Sequence, residues 1–190
     1  GPVDLDHVAL RIVEVKGAAR EPGGRAKIAV ASNDPDVDPV GACVGMKGTR
    51  VQSVVQELRG EKIDIVHWIP DHAEYVCRAL APAKVSKILI DDEDHTMEVI
   101  VPDDQLSLAI GKKGQNVRLA SRLTGWRIDV RSEAEAEEET RRARQSISAI
   151  PGIGDFAAEL LYQEGFKSAE DVADSDLAEI LDVEGISKEK

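Results

Sequence analysis

At 190 residues the chain exceeds the roughly 100–150 residues of a typical single domain, so two or three small domains are expected. Apolar residues reach 42% but aromatics only 3%, which predicts aliphatic cores, and no run approaches the ~20 consecutive apolar residues of a membrane span. The net charge of −12 argues against a nucleic-acid partner only until its distribution is read: through Arg131 there are 18 Lys/Arg against 20 Asp/Glu, and from Ser132 onward 6 against 16. The acid belongs mainly to the tail.

The opening "GPVDLDH" has neither a basic leader nor an apolar signal segment, so a soluble, cytoplasmic protein is expected, with Gly1-Pro2 read as a cloning scar on a piece of something longer. "VALRIVEVKGAA" alternates as a half-buried strand should, "EPGG" at 21 to 24 turns the chain, and "AKIAVAS" returns. An acidic stretch, "SNDPDVDP", leads to a short apolar helix, the turn "GMKG" at 45 to 48, an amphipathic helix starting at Thr49, a glycine stop at Gly60 and the strand "IDIV". "DHAEYVCRALAPA" gives a further helix that Pro82 helps to end. The same order then repeats: "VSKILID" and "TMEVIVP" form a hairpin around "DEDH", and a short helix, the turn "GKKG" at 111 to 114, a helix from Gln115, Gly125 and the strand "IDVR" follow. Laying Gly45 on Gly111 pairs Val40 with Leu106, Val44 with Ile110, Gly48 with Gly114 and Val51 with Val117. The connection between the copies is too short and apolar for a flexible linker, so they should pack as one rigid block.

Residues 132 to 149 are helix formers, with Glu137–Arg141 and Glu138–Arg142 as i,i+4 pairs, and read as a solvated connecting helix. "IPGIGDFAAELLYQEGF" then reads as helix, P-G-I-G hairpin, helix, and Ser168 with Asp171 suggests a capping box on another helix. "DVEGIS" at 182 to 187 begins a second such hairpin that the sequence does not complete. Cys43 and Cys77 have no metal-ligand or disulfide spacing and are expected as small buried hydrophobes. His7, His67, His72 and His95 are scattered and expected at ordinary surface or strand positions, and Trp126, at a strand start, in the core.

The two G-x-x-G turns carry the chemistry. Glycine at each end lets backbone approach a ligand closely, and the following helix aims unpaired N–H groups and its positive dipole end at the same place. Phosphate suits that geometry, with Lys47 in one copy and Lys112 and Lys113 in the other adding charge. Val44 and Ile110 can floor an apolar groove for unstacked bases, so single-stranded nucleic acid is the expected ligand. One such turn is a weak signal; two in order, each with lysine and each between helices, fit the backbone clamp of a KH module. The apolar stripe positions Val51, Val54, Val55 and Leu58, and Val117, Ala120 and Leu123, read as core.

"DPVGACVGMKGTRVQSVVQELRGEKIDIV" and "DDQLSLAIGKKGQNVRLASRLTGWRIDV" closely resemble the tandem KH domains of the NusA family of bacterial transcription elongation and termination factors, over most of residues 8 to 131. The resemblance implies an α+β fold: two prokaryotic-type KH domains in tandem, each a three-stranded sheet packed on helices, followed by a small α-helical helix-hairpin-helix segment. The corresponding boundaries are 1–80 for the first KH domain with its N-terminal hairpin, 81–131 for the second, 132–149 for the connecting helix, and 150–190 for the truncated acidic tail. It implies a monomeric, non-enzymatic RNA-binding protein that needs no cofactor or metal and acts on the nascent transcript in pausing, termination and antitermination. RNA polymerase is the implied partner of the full-length protein. Gly45, Met46, Lys47, Gly48 and Gly111, Lys112, Lys113, Gly114 match the family's clamping loops; Arg50, Gln115 and Arg118, in the first turns of the helices that follow, complete the candidate RNA-binding set. The family's polymerase-binding and OB-type domains have no counterpart in this sequence. In some members the region after the KH pair contacts polymerase or masks the KH surface, and both alternatives stand here. The rival class is a DNA-binding helix-hairpin-helix module of a repair enzyme, such as a nuclease or ligase gripping duplex backbone with the P-G-I-G hairpin. Against it, Asp155 and Glu159 near that hairpin would repel phosphate, and the tail is expected to bind protein instead.

Overall fold

The computed structural model describes residues 13–44 and 61–174. The first G-x-x-G turn, with Gly45, Met46, Lys47, Gly48 and Arg50, and the stripe expected after it therefore lie outside the described residues, as do His7 and the hairpin expected at 182 to 187. The chain divides into two compact units, residues 1–132 and 133–190. No helix among the described residues is long and apolar enough to cross a membrane.

In the first unit the expected hairpin forms: β1 (Val13–Glu21) runs antiparallel to β2 (Arg25–Ser32) in a register that sets Glu21 opposite Arg25. The Gly24 N–H closes the turn onto the Glu21 carbonyl at 3.1 Å, and Gly23 takes a φ of 77°, a conformation that favours glycine. After α1 (Pro39–Val44), β3 (Lys62–His67) returns parallel to β2, with Ala26 opposite Ile63 and Ile28 opposite Ile65. The second copy repeats the topology. β4 (Lys87–Asp91) and β5 (Thr96–Val101) form an antiparallel hairpin, a short 3-10 turn leads to α3 (Leu106–Ile110), and α4 (Gln115–Thr124) precedes β6 (Arg127–Ser132), which lies parallel to β5 with Met97 opposite Ile128. Each sheet thus has three strands in chain order.

Between the copies, α2 (His72–Ala79) starts where the Asp71 carboxylate accepts the Glu74 N–H at 2.9 Å, and it stops at Leu80, two residues before Pro82. Tyr75, Val76 and Ala79 are buried on it. Val76 and Ala79 belong to one core that runs from Val66 on β3 through Met97, Val99 and Val101 on β5 to Ala120 on α4 and Ile128 on β6. Helix α4 packs on β1, β2 and α2, so the copies share apolar contacts across their boundary. Of its expected stripe Ala120 is wholly buried and Val117 and Leu123 are half-buried against the core, while Leu119, off that stripe, is wholly buried as well. Truncating such a leucine to alanine costs about 2–5 kcal/mol.

Trp126 is in the core, as its place at a strand start predicts, and His72 and His95, both exposed at the surface as expected, meet its ring from outside. His95 stacks on the indole with ring centroids 3.8 Å apart and planes 16° from parallel, and the indole N–H donates to His72 Nδ1 at 3.3 Å. Cys43 and Cys77 form no disulfide and are half-buried rather than fully enclosed; burial raises the Cys77 thiol pKa.

The second unit opens with α5 (Glu133–Ser148), followed by α6 (Asp155–Gln163) and α7 (Ala169–Asp174). Its core gathers Ile147, Ala158, Leu161 and Val172. Helix α5 is therefore more than a solvated connector: Ala143 and Ile147, four residues apart, are buried on it, and it belongs to the tail unit. Its charged face differs in detail too, because Arg141 turns to Glu138 (i,i+3), which also holds Arg142 at 3.0 Å. Ser168 Oγ accepts the Asp171 N–H at 3.1 Å as expected, while the Asp171 carboxylate reaches back to the Lys167 N–H at 3.0 Å, one residue before the usual capping-box partner.

Candidate nucleic-acid interface

The second G-x-x-G turn is built by backbone. Helix α3 ends when Gly111 takes φ 77° and ψ 173°, a region that side chains other than glycine's rarely occupy. A Cβ on Gly111 would stand 2.7 Å from both the backbone N and the Cβ of Asn116, so the turn has no space for one. Lys113 follows at φ 55° and Gly114 at φ 74°, both left-handed, and α4 begins at Gln115. Asn116, buried at the base, ties the turn down: its Nδ2 donates to the carbonyls of Leu80 and Ala109, each at 3.0 Å. This asparagine escaped the sequence reading because one polar residue in a helical stripe carries no signal of burial.

The result is a fixed turn with Lys112 and Lys113 exposed at its crest and the N-terminus of α4 directly behind. Gly111, Lys112, Lys113, Gly114 and Gln115 are thus together as expected. Arg118 is beside them, but its guanidinium is engaged: Nη1 donates to the Lys113 carbonyl at 3.0 Å, and Nε and Nη2 donate to the Glu21 carboxylate of the first copy. Gln115 Nε2 donates to the same carboxylate at 3.0 Å.

A cleft of about 790 Å³ opens along the turn, and its lining includes Lys112, Leu108 and Asn116 from the second copy and Arg25 and Lys62 from the first. Leu108, 44% exposed, supplies an apolar surface in it, the role the sequence suggested for Ile110, which is half-buried. Arg25 and Lys62 come from the turn and strand ends of the other copy, 50 or more residues away, and only the docking of the copies reveals them. Lys62 and Lys112, set against one carboxylate, Asp104, make this cleft basic within an acidic protein, while Arg25 beside them is paired with Asp64 at 3.3 Å.

The P-G-I-G hairpin of the tail also takes the expected shape, with Gly152 at φ 81° and Gly154 capping α6. Of the two carboxylates expected to repel phosphate there, Glu159 is neutralised by Arg144 at 2.9 Å, while Asp155 sits in the first turn of α6. Phe156, next to it, is 73% exposed.

Comparison with known families and proteins assigns these parts. Residues 4–68 match the NusA-like first KH domain, 72–138 the NusA-like second KH domain, and 145–190 a SAM-like helix-hairpin-helix tandem. Helix α2 thereby falls at the start of the second KH match. The transcription termination/antitermination protein NusA of Halalkalibacterium halodurans is 63% identical over 126 residues, 66% of this chain and 33% of that protein. The protein of the same name from Bacillus subtilis is 60% identical over 126 residues, 66% of this chain and 34% of its own length. The one from Rickettsia prowazekii is 43% identical over 197 residues, 98% of this chain and 39% of its length. The chain thus spans between 33% and 39% of these relatives. The crystal structure of APE1850 shares the fold, with a TM-score of 0.50 and 23% identity over 68% of this chain and 94% of that one.

Proposed function

The chain belongs to the NusA family by its tandem KH domains and the helix-hairpin-helix segment behind them, and on that footing we propose that it binds single-stranded RNA through paired G-x-x-G loops, in transcription pausing, termination and antitermination. The observation that carries this reading is the second turn itself. Two exposed lysines and a helix N-terminus converge on one spot, where the backbone is held open by Gly111 and Gly114. KH modules clamp about four nucleotides of backbone with such a loop, and the basic cleft beside it, with Leu108 exposed, suits bases laid with their edges free.

The binding set in this reading is Gly45, Met46, Lys47, Gly48 and Arg50 in the first domain and Gly111, Lys112, Lys113, Gly114, Gln115 and Arg118 in the second, with Arg118 serving the loop through its hold on the Lys113 carbonyl. Because the domains share a core, their two loops engage one continuous strand. The protein works as a monomer in the cytoplasm, without enzymatic activity, on the transcript emerging from RNA polymerase. Its acidic helix-hairpin-helix unit takes a protein partner rather than nucleic acid.

Binding of RNAs of increasing length, set beside magnesium-dependent cleavage of branched DNA, tests the reading. An RNA of about ten nucleotides or more should bind on the order of 10²-fold better than one of four or five, since linked sites gain by effective concentration. Deletion of residues 133–190 should leave that affinity unchanged or raise it at low salt. Branched-DNA cleavage with no RNA affinity would instead support the repair-enzyme alternative, and RNA affinity lost with the tail would make the hairpin a nucleic-acid site.

A further inference from the structure

Glu21 ends β1 in the first KH domain, yet its side-chain contacts reach into the second. Its Oε2 accepts from Arg118 Nη2 and from Gln115 Nε2, each at 3.0 Å, its Oε1 accepts from Arg118 Nε, and Arg122 Nη1 stands 3.8 Å from Oε1. The remaining arm of Arg118 holds the Lys113 carbonyl at the crest of the loop. One guanidinium therefore bridges a carboxylate of one domain to a backbone carbonyl of the other.

The hairpin tip that presents Glu21 is itself fixed. Glu61, almost wholly buried, accepts from Arg20 Nε at 2.9 Å, Arg20 Nη2 at 2.7 Å and the Gly23 N–H at 2.9 Å. Gly24 packs so closely that a Cβ there would lie 2.6 Å from Gln115 Nε2. At the other end, Lys113 occupies a left-handed conformation that a residue with a side chain adopts at a cost, so its geometry needs support from outside the loop.

A carboxylate beside a phosphate clamp would be expected to weaken RNA binding through its charge. Its place here makes sense as orientation. We propose that Glu21 is a positioning residue for the second KH loop: acting through Arg118, it sets the Lys113 carbonyl and with it the presentation of Lys112 and Lys113, so that the first domain shapes the clamp of the second. The proposal rests on the RNA-binding reading for its consequence, but not for its geometry.

The experiment uses the full chain with Glu21→Gln, Arg118→Gln and both together, and two readouts. In the free protein, Glu21→Gln should shift the backbone amide resonances of residues 112 to 115 across the domain boundary and leave those of the β4–β5 hairpin in place. With a ten-nucleotide single-stranded RNA, Glu21→Gln should lower affinity by about tenfold, which is ~1.4 kcal/mol, with the salt dependence unchanged. The double variant should be no weaker than Arg118→Gln alone. Raised affinity in Glu21→Gln would mean that the carboxylate merely repels RNA, and additive losses would mean that it acts apart from Arg118; either overturns the proposal. A salt slope lower by roughly 0.7 in Arg118→Gln would make that arginine a phosphate contact instead of a bridge and also overturn it. Loop resonances unmoved by Glu21→Gln overturn it even if the wild type binds no RNA, and in that case the RNA-binding reading fails separately.

Discussion

Lys27 on β2 and Asp64 on β3 face each other across the parallel pair, with Nζ 3.0 Å from Oδ2 and the lysine side chain fully buried. The ammonium's other partner is the Ala81 carbonyl at 3.2 Å, just past the end of α2. Burial lowers the Lys27 pKa against the opposing pull of Asp64. Asp64, one quarter exposed, has a second cation in Arg25 at 3.3 Å. The two partners are therefore unequal.

From this inequality, Asp64→Asn should destabilise the protein by about 3–5 kcal/mol, since it leaves a buried ammonium without its counter-charge. Lys27→Met should cost clearly less, because Arg25 still neutralises Asp64 and an unbranched apolar chain of similar length fills the space. Chemical denaturation of both variants checks the order. Equal losses, or a larger loss for Lys27→Met, would contradict it.

Lys27 also shows where sequence reading stops. The hairpins, the existence of the third strands and the helix starts were legible in "AKIAVAS", "TMEVIVP", "IDIV", "IDVR" and the paired glycine turns, because alternation, periodicity and turn chemistry are local, whereas the parallel pairing of those third strands came only with the structure. Alternation alone also makes Lys27 a solvent-facing residue. The strand is buried on both faces, because α4 of the second domain packs over it. The same docking of the two domains brings Glu21 to Arg118, and no local pattern encodes it. In α5 the dense charge drew attention from Ala143 and Ile147, the two positions that attach it to the tail unit.

The loop glycines should respond differently to alanine. Gly114→Ala meets only Arg118 Nη1 at 3.6 Å and should cost about 1–2 kcal/mol for the left-handed backbone. Gly111→Ala carries a larger conformational penalty, because φ 77° with ψ 173° is a region essentially confined to glycine, and adds a clash with the backbone of Asn116, so it should cost more and displace α3 from α4. Thermal unfolding of the two variants measures the difference, and equal stability would show that the turn relaxes freely.

Acid should loosen the junction between the domains. The Glu21 carboxyl is held at about 2 from an ordinary 4.5, chiefly by its hydrogen bond from Arg118, and Glu61 equally, chiefly by Arg20. With folded values depressed, each group's stabilising contribution is full above about pH 4.5 and is lost as pH falls toward 2. Wild type should thus melt above Glu21→Gln near neutral pH, with the gap closing through that window. A gap that stays constant or widens in acid would contradict the assignment.

The most direct measurement is a titration with a ten-nucleotide single-stranded RNA across a salt series, for wild type and for Lys112→Asp with Lys113→Asp. Both lysines are exposed on the turn, so the substitutions should cost no more than about 0.5 kcal/mol of stability each. Wild-type affinity should fall as salt rises, and the variant should bind at least tenfold more weakly, with a slope shallower by roughly 0.7 for each lysine that meets a phosphate. Unchanged affinity and slope in a folded variant would show that the G-K-K-G loop does not hold RNA.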